Sequence, residues 1–169
     1  VLPGCEIYRD SELFIGSDAV PTDPYAPDQE FHTTEFFTNV ALDYIDQACR
    51  EPDDPFYLHL CYNAPHFPLE APDELIDKYR GRYRKGWDQL RAEKLERMQA
   101  MGIVPTSQTL PEAVGFDQEE RKGFDFKPSV DSCGLPAWDT LSNSDQEELD
   151  FRRSLYAAQV EHMDLNVGR

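Results

Sequence analysis

Apolar and polar residues follow a helical period in four stretches of this chain, a strand-like pattern in one, and no period in the long segments between. Phe36, Phe37, Val40, Ala41, Tyr44, Ile45 and Ala48 recur at three-and-four spacing, which predicts a helix capped by Thr33 or Thr34 and ended before Pro52. Pro55-Phe56-Tyr57-Leu58-His59-Leu60-Cys61-Tyr62 is a proline-bounded, aromatic-rich run and predicts a buried strand. The turn Glu51-Pro52-Asp53-Asp54 between them has the length of an α-to-β connection. Pro72 followed by Asp73 and Glu74 starts a second helix, with Leu75, Ile76 and Tyr79 behind it and Gly81 as its stop.

Trp87, Leu90, Leu95, Met98 and Met101 form an apolar stripe between Gly86 and Gly102, predicting an amphipathic helix that turns Arg91, Lys94 and Arg97 to solvent. The last helix is expected to begin at a capping box, Ser144-Asp145-Gln146-Glu147. It would bury Leu149, Tyr156, Val160, Met163 and Val167, and stop at Gly168. Near the start, Cys5-Glu6-Ile7-Tyr8 and Glu12-Leu13-Phe14-Ile15 read as a hairpin joined by Arg9-Asp10-Ser11. Residues 16–30 and 103–142 are proline-dotted and aperiodic, hence loop.

One strand and one short hairpin cannot cover this many helices. A lone strand buried without neighbours would leave each backbone donor and acceptor unsatisfied, at about 1 to 3 kcal/mol apiece. The partner strands are therefore expected from outside this sequence, and the chain reads as a central piece of a larger α/β protein. It opens on Val1 rather than methionine, so the true start is read as lying upstream.

Charge narrows the partners. Sixteen basic residues against 33 acidic give a net charge of −17, which repels phosphate backbones and anionic lipid surfaces, so neither nucleic acid nor membrane is an expected partner. An anionic small molecule is still admissible, because the local field of a cleft decides its binding. No stretch resembles a signal peptide or a membrane-spanning run. Cys5, Cys49, Cys61 and Cys133 are far apart, lack zinc-ligand spacing, and read as four separate thiols.

The chemistry concentrates in Asn63-Ala64-Pro65-His66-Phe67-Pro68-Leu69-Glu70, just past the carboxyl end of the expected strand. Strand ends are where loops of an open α/β sheet part to form a crevice. Pro65 and Pro68 restrict themselves and the residues before them, so the loop presents His66 with little freedom left to lose. His32, His59 and His162 read as structural, as do Trp87, Met98 and Met101 at helical spacing. Trp138 reads as an anchor for the long loop, and the acidic clusters 117–120 and 146–148 as solvated faces.

Phe56-Tyr57-Leu58 through Tyr62, then Ala64-Pro65-His66-Phe67-Pro68-Leu69, Ala71-Pro72 and Lys78-Tyr79-Arg80-Gly81, resemble the middle of type I sulfatases, in particular the microbial arylsulfatase branch. Lys85 to Arg91 with Gly102-Ile103 and Pro105, Pro136 to Asp139, and Tyr156-Ala157-Ala158 through Met163-Asp164 and Gly168-Arg169 continue the resemblance in order. The resemblance implies a segment, residues 1–169, internal to one sulfatase catalytic domain. Its fold would be an alkaline-phosphatase-like α/β sandwich, a mixed sheet with helices on both faces, only part of that sheet lying in this chain.

It implies hydrolysis of a small-molecule sulfate ester, aryl or carbohydrate, by a formylglycine nucleophile with calcium. Both are expected outside this chain, since none of the four cysteines has proline two positions on and arginine four on. This segment would be inactive alone and partnered by the remainder of the domain. The resemblance alone suggests a periplasmic, secreted or lysosomal-type compartment. Of the family's active-site residues it assigns His66, as sulfate or leaving-group contact; Phe67 is read as an apolar wall for the substrate ring and Asn63 as orienting the loop. A phosphodiester or phosphonate ester hydrolase of the same superfamily, or a non-catalytic acidic interaction module, are the alternatives.

Overall fold

A computed structural model describes residues 13–15, 17–19, 32–50, 53–111 and 137–169, the side chain of Ile15 excepted. The expected hairpin arm at 5–8, Cys5, Cys133 and the cluster at 117–120 lie outside them. The described chain divides into two compact units, Val1–Lys78 with Leu155–Arg169, and Tyr79–Ser154.

In the first unit, β1 (Phe14–Ile15) pairs antiparallel with β2 (Asp18–Ala19), Phe14 opposite Ala19. Asp18 and Ala19 lie in the stretch read as loop, while the hairpin expected over 5–15 falls largely outside the described residues. Helix α1 spans Thr33–Cys49 and stops before Pro52 as expected. Its cap is neither threonine but His32, whose extended backbone and Nδ1, accepting from the Thr34 amide at 3.2 Å, do the work assigned to a hydroxyl. Phe36 and Ala41 are buried, together with Thr33, Thr34 and Thr38, while Tyr44 is exposed. The Thr38 hydroxyl donates to the Thr34 carbonyl at 2.8 Å, so the Tyr62 hydroxyl, 2.8 Å away, donates to Thr38.

The strand expected at 55–62 is corrected. These residues form no ladder, and among the described residues the one sheet is the β1–β2 hairpin. Phe56 is 59% and Tyr57 88% exposed, and His59 is exposed rather than enclosed. An apolar run becomes a strand only where a neighbour takes its amides and carbonyls, and none is present among the described residues. An open hollow between this run and α1 is lined by Tyr44, Ile45, Ala48, Phe56, Tyr57 and Leu58.

Helix α2 spans Asp73–Tyr79 behind Pro72, whose carbonyl accepts from Leu75 and Ile76, and it buries Ile76. Helix α3 covers Trp87–Ala100. Gly86 at its start and Gly102 beyond its end both hold positive φ, 86° and 71°, which L side chains resist. The α3 stripe is shallower than its spacing implied: no residue of the helix is fully buried, and Met101 is 72% exposed.

Helix α4 spans Asn143–Val167. Its cap is Ser142, two residues ahead of the expected box: Ser142 Oγ accepts from the Asp145 amide at 3.1 Å and donates to the Asp145 carboxylate at 2.7 Å. Ser-Asn-Ser-Asp offers two overlapping boxes, and the earlier wins because it adds two residues of helix. In the Tyr79–Ser154 unit, α4 buries Asp150 and Ser154; in the other it buries Ala158, Gln159, His162 and Asn166. The expected apolar stripe is instead only half-buried at Tyr156, Val160 and Met163 and exposed at Val167.

The Tyr79–Ser154 unit is closed by polar clamps. Asp150 Oδ2 accepts from the Gly81 amide at 2.7 Å and Oδ1 from the Tyr83 amide at 2.8 Å, while Ser154 Oγ donates to the Tyr79 carbonyl at 3.0 Å. Trp138, in a 3-10 turn over Trp138–Thr140, donates its indole N–H to the Arg84 carbonyl at 2.8 Å and meets Trp87 edge-on at 5.0 Å. These contacts hold Trp138 against the start of α3, while most of the loop it was expected to anchor lies outside the described residues.

Candidate functional site

The His66 loop belongs to the Val1–Lys78 and Leu155–Arg169 unit. Its turn is closed by the His66 amide, which donates to the Asn63 carbonyl at 2.9 Å. Asn63 therefore meets His66 through main chain. The Ala64–Pro65 and Phe67–Pro68 peptide bonds are cis. Ala64 is buried beneath the loop, whereas His66 and Phe67 are exposed.

The imidazole is fixed from two sides. Its Nδ1 is bonded to the Phe67 carbonyl, and because a carbonyl only accepts, Nδ1 carries the proton. The ring stacks on the Phe67 side chain with centroids 4.8 Å apart and planes 21° from parallel. Phe67 keeps 54% of its surface exposed, so the stacked pair offers an aromatic face as well as a nitrogen. With the proton on Nδ1, Nε2 is an acceptor in the neutral ring and a donor in the charged one.

Behind the loop lies α4. Gln159, fully buried, directs its Nε2 to the His66 carbonyl at 3.4 Å. Sequence spacing missed it, because a glutamine between alanine and valine on a helix carries no pattern of its own. His162, read as structural, is buried at 4% exposure. Its Nε2 bonds Glu35 Oε1 at 3.1 Å, and its ring stands edge-on to His32 with centroids 4.6 Å apart. His162 thus links α4 to α1 and does not converge on His66. His59 instead meets Cys61 on the exposed segment, Nε2 to Sγ at 3.3 Å.

Among the described residues no three His, Cys, Asp or Glu side chains are grouped to hold a metal ion. The described residues therefore offer no such group to the calcium that the family resemblance implies. No described helix is long and apolar enough to cross a membrane.

The model of the family described as "Sulfatase" matches residues 7–169. An uncharacterised sulfatase of Schizosaccharomyces pombe is 33% identical over 141 residues, 83% of this chain and 22% of that protein. An arylsulfatase of Klebsiella aerogenes is 27% identical over 139 residues, 82% of this chain and 25% of its own length. An arylsulfatase of Clostridium perfringens is 30% identical over 57 residues, covering 34% and 11%. The chain spans about a quarter or less of the length of these relatives.

Proposed function

The chain belongs to the sulfatase family, and we propose that it forms the interior of a sulfuric ester hydrolase in which His66 meets the sulfate ester. The observation that carries this reading is the imidazole itself, exposed on its loop, stacked on Phe67 and locked at Nδ1. Cleaving a sulfate ester gathers negative charge on the sulfuryl oxygens and on the departing alkoxide or phenoxide. A donor already aimed at that charge lowers the barrier without reorganising. His66 Nε2, in the imidazolium form, hydrogen-bonds a sulfate oxygen or passes its proton to the leaving oxygen. Phe67 gives the ring of an aryl or sugar sulfate an apolar wall, and Asn63 closes the turn.

On this reading the formylglycine nucleophile, the calcium ion and the remaining strands are supplied by other parts of the protein. The segment is inactive without them.

In the full-length protein, His66→Ala is expected to lower kcat/KM for 4-nitrophenyl sulfate by about 100-fold or more. His66→Gln, which keeps a hydrogen-bond donor but cannot pass a proton, should retain more activity than His66→Ala where the imidazole serves as a donor to the sulfate oxygens. Hydrolysis of bis(4-nitrophenyl) phosphate in preference to the sulfate would place the protein with the phosphodiester hydrolases instead, and an unchanged kcat/KM in His66→Ala would remove His66 from the chemistry.

A further inference from the structure

We propose that Gln159 is a positioning residue for the His66 loop, holding the 66–67 peptide from behind so that Nε2 keeps a fixed direction. This rests on the reading of His66 above. Gln159 is the largest side chain in the described structure with essentially no exposed surface, and its amide nitrogen reaches the His66 carbonyl at 3.4 Å. The acceptor that fixes Nδ1, the Phe67 carbonyl, lies in the next peptide along, joined to this one through the Phe67 Cα. Moving the 66–67 peptide therefore shifts the loop backbone and, through Phe67, the neighbouring peptide that anchors the ring.

Two further observations set Gln159 apart from ordinary packing. Its Oε1 is buried with no hydrogen-bond partner among the described residues. A methionine or leucine of similar volume would fill the space without that cost, so the amide is unfavourable for stability and its use lies in the bond that its nitrogen makes. The helix bearing it is also held in rotation: one turn on, His162 bonds Glu35 at 3.1 Å, and Asn39 accepts from Arg169 at 2.7 Å. A group on a pinned helix can set the position of a loop, whereas one on a loose helix would follow it.

The test uses the full-length protein with Gln159→Met, and Gln159→Leu as a second variant. Both are expected to melt at or above the wild-type temperature, since an orphaned acceptor is removed. Hydrogen exchange across residues 63–70 should rise several-fold while exchange in α4 stays unchanged. The value of kcat for 4-nitrophenyl sulfate should fall about five- to tenfold, and the same substitution in a His66→Ala background should have no further effect. Two variants that both lose stability, unchanged exchange across 63–70, or a penalty that persists in the absence of His66 would each overturn the proposal. If His66→Ala alone leaves turnover intact while Gln159→Met still loosens the loop, the catalytic reading of His66 fails and the tether survives.

Discussion

The two units spend their polar groups differently. In Tyr79–Ser154, Asp150 uses both oxygens on amides of one turn, Ser154 closes on the Tyr79 carbonyl, and Trp138 covers Gly86 with its indole N–H engaged. No described buried side-chain polar atom in this unit lacks a partner. In the other unit Thr34 Oγ1, Gln159 Oε1 and His162 Nδ1 are buried without one among the described residues, and Phe56 to Leu60 lie open. The first arrangement is what a self-sufficient scaffold needs. The second keeps unpartnered polar groups buried behind the His66 loop and leaves an apolar run open.

If that contrast is right, the largest loss of stability comes from the Asp150 clamp. Asp150→Ala strands two amides that now bond a carboxylate and should cost about 3 kcal/mol, read by denaturant unfolding of the full-length protein. Asp150→Asn, retaining one acceptor, should cost clearly less; equal costs would show that the cavity, not the hydrogen bonds, matters. Gly86→Ala comes next, at about 2 to 3 kcal/mol. A Cβ there would stand 2.3 Å from the Trp138 ring, on a backbone whose φ of 86° already disfavours it. Trp138→Leu in that background should recover part of the loss, since the clash is with the indole.

The helix caps compare the units at smaller scale. Ser142→Ala removes a reciprocal cap in the scaffold unit, and His32→Ala removes a single imidazole acceptor in the other. Each is expected to cost about 1 kcal/mol in thermal unfolding. The two should be additive, because they cap different helices; strong coupling would show that the units melt through one another.

What could be read from the sequence follows the same division. Helix ends written by single residues, Gly86, Gly102, Pro72 and Gly168, fall where they were expected, because backbone preference is local. The His66 loop was legible as a prolyl turn past an apolar run. Burial on α4 was not. Spacing selected Tyr156, Val160 and Met163, yet the residues enclosed are Ala158, Gln159, His162 and Asn166, the last three of which polarity alone assigns to solvent. Side chains such as Gln159 and His162 are buried for the hydrogen bonds they make to distant backbone and carboxylate, and no local pattern announces those partners. The run at 55–62 fails for the opposite reason: its pattern is strong, but a strand is a property of a pair.

The smallest expected effect tests whether surface charge contributes to the scaffold at all. Lys85, chiefly through its hydrogen bond, holds the Glu93 carboxyl below its ordinary pKa. Burial opposes this and a second bond from Gln89, at 3.0 Å, assists. A carboxyl whose folded pKa is depressed stabilises the fold at pH values above its unfolded pKa. That contribution disappears as the pH falls through the folded value. Glu93→Gln should therefore shift the melting temperature slightly at neutral pH and not at all in strong acid, and added salt should erase the neutral-pH shift because the pair is solvent-screened. A shift that survives high salt would mean that Glu93 acts through packing along α3, and that the scaffold unit depends on its surface as well as on Asp150 and Trp138.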